Sequence, residues 1–322
     1  MSVPDRPAWS LRCALTLSLS PRERERTSKQ HLRLTSPSGK GQDRLAIVGE
    51  GGAFKAARMP EFPPPLNSDS ETHCHQEPAV SHFTPIKHFD DSRKAKGQQA
   101  RVEDTRAAAS DFRQFMLTQP KVRYYESFDL VRAPYPTRYG LRNAFSRENV
   151  VQFLHLLNRL FVVQFDTTEG LKTLLVSPTD YHRNEETPFF RRLLDKNPAW
   201  LTNIIRRPVS TVPEALAQIG LKPEDVDYLT YDHLHTQDIR QWLGSDDQPA
   251  LFPNAKLLVH HREWASANDL NPYQRDWYCP DGTRISADRV IEFDGSILLG
   301  DGVALVHTPG HTEGNHSIVV HT

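Results

Sequence analysis

The chain has 322 residues, 38% of them hydrophobic and 25% charged, with 24 prolines. That is room for one large domain or two ordinary ones, but the apolar fraction is low enough to imply that part of the length does not pack. Lys and Arg number 39 against 40 Asp and Glu, so no overall field points to nucleic acid or a membrane surface. No apolar run approaches the ~20 residues of a spanning helix. The cysteines Cys13, Cys74 and Cys279 are far apart, which excludes a disulfide framework and a four-cysteine zinc module and makes a reducing, cytoplasmic setting the expectation. The apolar run after Arg12 is short, diluted by Ser and Thr, and followed by Pro21, so it does not read as a signal peptide.

Residues 1–105 hold 16 Lys/Arg against 13 Asp/Glu, and residues 106–322 hold 23 against 27. The first block is rich in Ser, Pro, Arg and Gln and keeps no period of 3.6 or 2, so it reads as a disordered, low-complexity extension. Its stretch from Ala14 to Glu25 resembles translated intergenic repeat, and the expected true start lies near residue 105. Residues 106–322 form the expected domain. There, Ser146 caps a helix carrying Val150, Leu154 and Leu157 on one face. A strand over 160–165 follows, with its hairpin partner over 171–176. Thr187-Pro188 opens a helix through Leu194, and Pro213 opens another through Ile219 that Gly220 closes. Residues 226–231 read as a strand, 238–243 as a short helix ended by Gly244, and 255–259, 296–299 and 303–306 as further strands. Hairpins and crossover helices alternate without a repeat, which is the pattern of a mixed α/β domain.

Two segments carry chemistry. Asp232-His233-Leu234-His235-Thr236-Gln237-Asp238 lies where a strand ends and a helix begins, and residues two apart in extended backbone point the same way, so His233 and His235 can converge on one ion. His307-Thr308-Pro309-Gly310-His311-Thr312-Glu313-Gly314 follows the last strand directly, and its Pro-Gly turn throws His311 out at the strand end. Three histidines from two strand ends suit a zinc ion with a position left open for water.

The two motifs and their order resemble the metallo-β-lactamase superfamily, whose signature is His-x-His-x-Asp-His followed far downstream by Thr-Pro-Gly-His-Thr-x-Gly. The resemblance covers residues 121–322, with the approach strand at Val226-Asp227-Tyr228-Leu229 and the next strand and helix at Ala255-Lys256-Leu257-Leu258-Val259 and Glu263-Trp264. It implies an αββα sandwich and metal-dependent hydrolysis, with His233, His235 and His311 as the ligands of the first metal. Two departures stand out. Gln237 and Asp238 occupy the places of the signature's second-metal Asp and His. Asp238, at a helix N-terminus, is the candidate catalytic proton acceptor, with capping of the helix or weak binding of a second metal as the alternatives. The chain stops eleven residues past His311, so the second half of the sandwich is expected to be incomplete, with one core face uncovered.

The expected function is a metal-dependent hydrolase that activates a water for attack on a small-molecule ester, lactone, thioester, β-lactam or phosphodiester. The expected cofactor is zinc, one ion, with iron or manganese as alternatives. The rival functions are an iron-dependent oxidoreductase on the same fold, a degenerate or fragmentary non-catalytic member, and a nucleic-acid-binding protein using the basic residues 1–60. Secondary candidates are Asp232 and His316 as supports of the ligand imidazoles, His260-His261 as surface residues, and the coil tract His73-Cys74-His75 with His82 and His88. Tyr135, Pro136, Tyr139 and Phe189-Phe190 are candidate cleft walls. No GxGxxG, GxxxxGK[ST] or GxSxG stands at a strand–helix junction, so nucleotide and serine-hydrolase readings have no support.

Overall fold

The structure, a computed structural model, describes residues 11–13, 83–136, 153–196 and 206–322. Its first elements are β1 (Leu11–Cys13), β2 (Thr84–Ile86), α1 (Asp90–Lys94), α2 (Gln98–Thr118), β3 (Tyr124–Pro136), β4 (Phe153–Thr167) and β5 (Gly170–Val176). Next come α3 (Tyr181–Asn184), α4 (Pro188–Asp195), β6 (Arg207–Pro208), α5 (Val212–Gln218), β7 (Tyr228–Thr230), α6 (Arg240–Leu243) and β8 (Lys256–His260). α7 (His261–Asn268), β9 (Val290–Phe293), β10 (Ser296–Gly300), β11 (Val303–His307) and β12 (His316–His321) close the chain. Among the described residues, no helix is long and apolar enough to cross a membrane.

These strands build two sheets. The larger runs β6-β3-β4-β5-β7-β8-β9, antiparallel from β6 to β5 and parallel from β5 to β9. The smaller runs β1-β12-β11-β10-β2 and is antiparallel throughout. Strand period puts alternate residues on opposite faces, and β11 uses both. Val303 and Leu305 pack inward with Ile318, Val320, Val163, Phe165, Leu174 and Leu258 between the sheets. Ala304 and Val306 face outward against Phe112 and Met116 of α2. The outer face of the larger sheet, through Leu160, Val162, Leu175, Leu229 and Leu257, packs on Val212, Ala215 and Leu216 of α5 and Trp242 of α6. The layers are therefore helix, sheet, sheet, helix, with parallel strands buried on both sides as βαβ crossovers require.

Local signals place several elements where they were expected. Thr211 accepts from the Glu214 amide while Glu214 accepts from the Thr211 amide, a capping box at the start of α5. Gly220 and Gly244 end their helices at φ of 73° and 84°, a backbone that L side chains rarely adopt.

Two expectations are overturned. The domain does not begin at residue 106: β2 pairs with β10, Ile86 is buried in the outer core, and residue 105 lies inside α2. The helix that covers the smaller sheet thus draws on residues read as a disordered extension, and the core face expected to be bare is covered. Composition misled because α2 buries only Ala108, Phe112 and Met116, a stripe too thin to stand out among exposed charged residues. The helix expected from Ser146 through Leu157 fails in its second half, where residues 153–157 belong to β4, which pairs with β3 from Tyr124↔Gln164 to Pro136↔Phe153. Ladder pairing over the full strand outweighs a short run of helical spacing. The remaining expectations for residues 14–82, for residues 137–152 and for Tyr139 fall outside the described residues.

Met116 is fully buried beneath the smaller sheet. Met116→Ala is expected to destabilise the protein by about 2–4 kcal/mol, read as a lowered denaturant midpoint with an unchanged slope.

Candidate metal centre

Strand β7 delivers the first motif to the edge of the larger sheet. Thr230 ends it fully buried, its hydroxyl donating to the Leu258 carbonyl at 2.9 Å. Tyr231 follows, its hydroxyl donating to the Pro178 carbonyl at 2.7 Å. The chain then turns: Thr236 takes a positive φ of 63° while its amide donates to the Trp277 carbonyl at 2.6 Å. Strand β11 delivers the second motif, and its loop is closed by the Thr308 amide on the Asn315 carbonyl and the Gly310 amide on the Thr312 carbonyl. From the N-terminal side, Arg93 of α1 donates to the His307 carbonyl where that loop begins.

The loops meet at three histidines. His235 Nδ1 and His311 Nε2 are 3.2 Å apart, and the ring centroids of His233 lie 5.0 Å from His235 and 4.5 Å from His311. One ring nitrogen from each falls within 4.8 Å of the others. Ligands held at ~2.1 Å around a tetrahedral ion stand about 3.4 Å apart, so the spacing accommodates one cation. Among the described residues the buried His235 Nε2 has no hydrogen-bond partner, and the donor set of three imidazoles suits a borderline-soft divalent ion. Burial, then the neighbouring His233 and His311, holds His235 down at about 4, and burial also lowers His311; both present neutral rings near pH 7. His233 differs: burial opposes its charge, but the Asp232 carboxylate, 3.1 Å from Nδ1, and Glu263 raise its pKa overall.

Asp238 lies elsewhere. It is buried, its Oδ1 accepts from Arg240 Nε at 2.9 Å and its Oδ2 from Arg240 Nη2 at 2.6 Å, and Arg183 stands 3.9 Å from Oδ2. Both oxygens of Asp238, the expected proton acceptor, are thus engaged by the Arg240 guanidinium. Gln237 accepts from the Thr179 hydroxyl at 3.2 Å. His316 does not reach His311; its Nε2 meets the Thr230 hydroxyl at 3.0 Å and its amide donates to the Asp232 carbonyl.

Sequence reading missed three features. Glu263, in the first turn of α7, is fully buried, and its Oε1 accepts from the Leu234 amide at 2.8 Å while its Oε2 accepts from the Thr312 hydroxyl. The loop of the second motif packs onto that turn so closely that a Cβ at Gly314 would sit 2.1 Å from the Glu263 nitrogen. The second feature is the pair Trp277 and Tyr278: Trp277 stacks at 4.2 Å on Phe189, itself an expected wall residue, and lies 6.3 Å from His235, with Tyr278 at 4.9 Å. The third is His260, expected at the surface but fully buried, stacked on His307 at 3.9 Å. With His261 and Asp294 it forms a second group of ligand types. The Arg262 amide donates to His260 Nδ1, however, which leaves the ring proton on Nε2, facing Asp294 at 3.8 Å. A nitrogen carrying its proton offers no lone pair to an ion, and this group reads as polar packing.

No family model matches the chain. An N-acyl homoserine lactonase from Bacillus sp. is 30% identical over 107 residues, 33% of this chain and 38% of that protein. The Bacillus cereus lactonase is 28% identical over the same shares. The match therefore spans less than two-fifths of these relatives' length. Among solved structures, a probable metal-dependent hydrolase from Staphylococcus aureus aligns at TM-score 0.46 and 14% identity, over 64% of this chain and 70% of its own. The Bacillus thuringiensis AiiA structure with N-decanoyl-L-homoserine bound aligns at 0.41 and 20%, over 62% and 71%.

Burial depresses His260 to about 3 and His316 to about 4, whereas a histidine in the unfolded chain titrates near 6.5. Unfolding therefore takes up protons between about pH 6.5 and 3, and stability falls as pH drops through that window. His233, with its raised pKa, works in the opposite sense and offsets part of the loss. The metal-free protein is expected to melt roughly 10 °C lower at pH 5 than at pH 7. Thermal melts of His316→Gln should show a smaller fall.

Proposed function

We propose that the chain is a metal-dependent hydrolase that opens lactone rings bearing an apolar acyl chain, with one zinc ion held by His233, His235 and His311. The observation that carries this reading is the convergence of three imidazoles from the ends of two strands in different sheets. The Bacillus relatives, named as N-acyl homoserine lactonases, favour a lactone over the other substrates that such a site can take.

The bound cation would polarise the substrate carbonyl and lower the pKa of a coordinated water. The chain's own residues do the rest. Asp232 holds His233 from its Nδ1 side, and a carboxylate beside a ligand imidazole fixes its orientation and strengthens it as a donor. Trp277 and Phe189 form an apolar wall beside His235, suited to an acyl chain and to excluding water from that side. The Asp238–Arg240 pair and the neutral Gln237 amide stand where the superfamily signature has its second-metal residues. A bound guanidinium already balances that carboxylate, which supports one ion per chain.

Elemental analysis should find close to one zinc per folded chain, reduced below about a tenth in His235→Ala because two imidazoles hold zinc far more weakly than three. Two zinc ions per chain would refute the single-ion reading. Zinc-loaded protein should hydrolyse N-acyl homoserine lactones, followed by proton release, and His235→Ala should lose at least about 100-fold in kcat/KM. A zinc-replete protein inactive on lactones, esters and β-lactams would mark a non-catalytic member. In Trp277→Ala, kcat/KM for a decanoyl chain should fall about tenfold and that for a butanoyl chain should change little.

A further inference from the structure

The two histidine loops come from different sheets, and one buried side chain touches both. Glu263 Oε1 accepts the Leu234 amide, between His233 and His235, and Oε2 accepts the hydroxyl of Thr312, next to His311. The carboxylate is fully buried. Among the described residues no lysine or arginine pairs with it, and its field falls on His233 and His311. A buried anion needs compensation. The first turn of α7 gives part of it, since a helix N-terminus favours negative charge. The two hydrogen bonds give more, and a cation among the histidines would add its opposite charge.

We propose that Glu263 is the positioning residue of the metal centre, clamping both ligand loops and supplying the buried negative charge that a divalent cation on the three histidines neutralises. The inference rests on the metal-centre reading above. It separates Glu263 from an ordinary buried polar group, because a cation on the three histidines would compensate its buried charge more fully than the two hydrogen bonds alone. Removing the charge while keeping the shape should therefore leave the metal-free protein as stable as before, or more so, and weaken the metal.

Zinc dissociation constants from chelator competition, with melting temperatures of the metal-free proteins, test this in the wild type, Glu263→Gln and Thr312→Val. Gln keeps an oxygen for the Leu234 amide and loses the charge. Glu263→Gln is expected to bind zinc about 10–100-fold more weakly with a metal-free melting temperature equal to or above the wild type's. Thr312→Val, which removes one clamp bond and keeps the charge, should lose less. Zinc affinity in Glu263→Gln within about threefold of the wild type, a range in which no lost metal support would register, overturns the proposal. So does a weakened affinity matched by a lower metal-free melting temperature, the mark of a plain structural contact. If Glu263→Gln does not fold, Thr312→Val decides, and unchanged zinc affinity there overturns the clamp. A wild type that binds no zinc overturns the metal-centre reading together with this inference, whereas a zinc-binding wild type with an equally competent Glu263→Gln removes this inference alone.

Discussion

Two sheets that touch only through apolar side chains have no unique offset, because dispersion and hydrophobic burial are non-directional. In this protein one of the polar contacts that set the offset is buried, Thr230 of the larger sheet with His316 of the smaller, 3.0 Å apart. The Thr230 hydroxyl gives its proton to the Leu258 carbonyl, so it accepts from His316 Nε2–H, and the ring is held neutral in one tautomer. The His316 amide adds a second tie, to the carbonyl of Asp232 beside the first histidine loop. A shift of either sheet would leave these groups unpaired in the core, which costs more than the bonds themselves contribute. The ends of β7 and β11 are thereby brought to one edge, and the histidines that follow them meet.

The electrostatics around that edge have a consistent direction. Burial depresses His235, His260 and His316, so the interior holds several imidazoles without their charge. Anions sit beside them: Asp232 against His233, and Glu263 beneath both loops. Burial favours the neutral rings of His235 and His311, whereas the carboxylates raise His233 and favour positive charge, a proton or a metal ion, at that ring. Asp238 lies outside this arrangement because Arg240 already supplies its counter-charge from two residues away.

The N-terminal elements show how little sequence signal a covering layer needs. Helix α2 buries three side chains along 21 residues, yet two of them, Phe112 and Met116, pack with Ile86 on the outer face of β11 and β12. Arg93 of α1 reaches the His307 carbonyl, which links the same N-terminal segment to the loop that carries His311.

The sequence alone determined β5, β7, β8, β10, β11 and the second half of β4, the helices α4 and α5, and the two histidine motifs, because strand alternation, proline and capping signals, and His-x-His spacing are local properties of the chain. It also raised His233, His235 and His311 as one candidate set. Only the tertiary structure decided which other groups belong to the site. Glu263 and Trp277 lie near no motif in sequence, and they reach the histidines because α7 starts at the same sheet edge and the 275–277 turn folds back over it. Asp238 carried the right chemistry in the right motif and was claimed by Arg240, a side-chain choice that spacing does not encode. The boundary at residue 105 failed for the same reason: whether a sparse apolar stripe forms a core depends on the face it meets, and that face, on β11 and β12, is made some two hundred residues later in the chain.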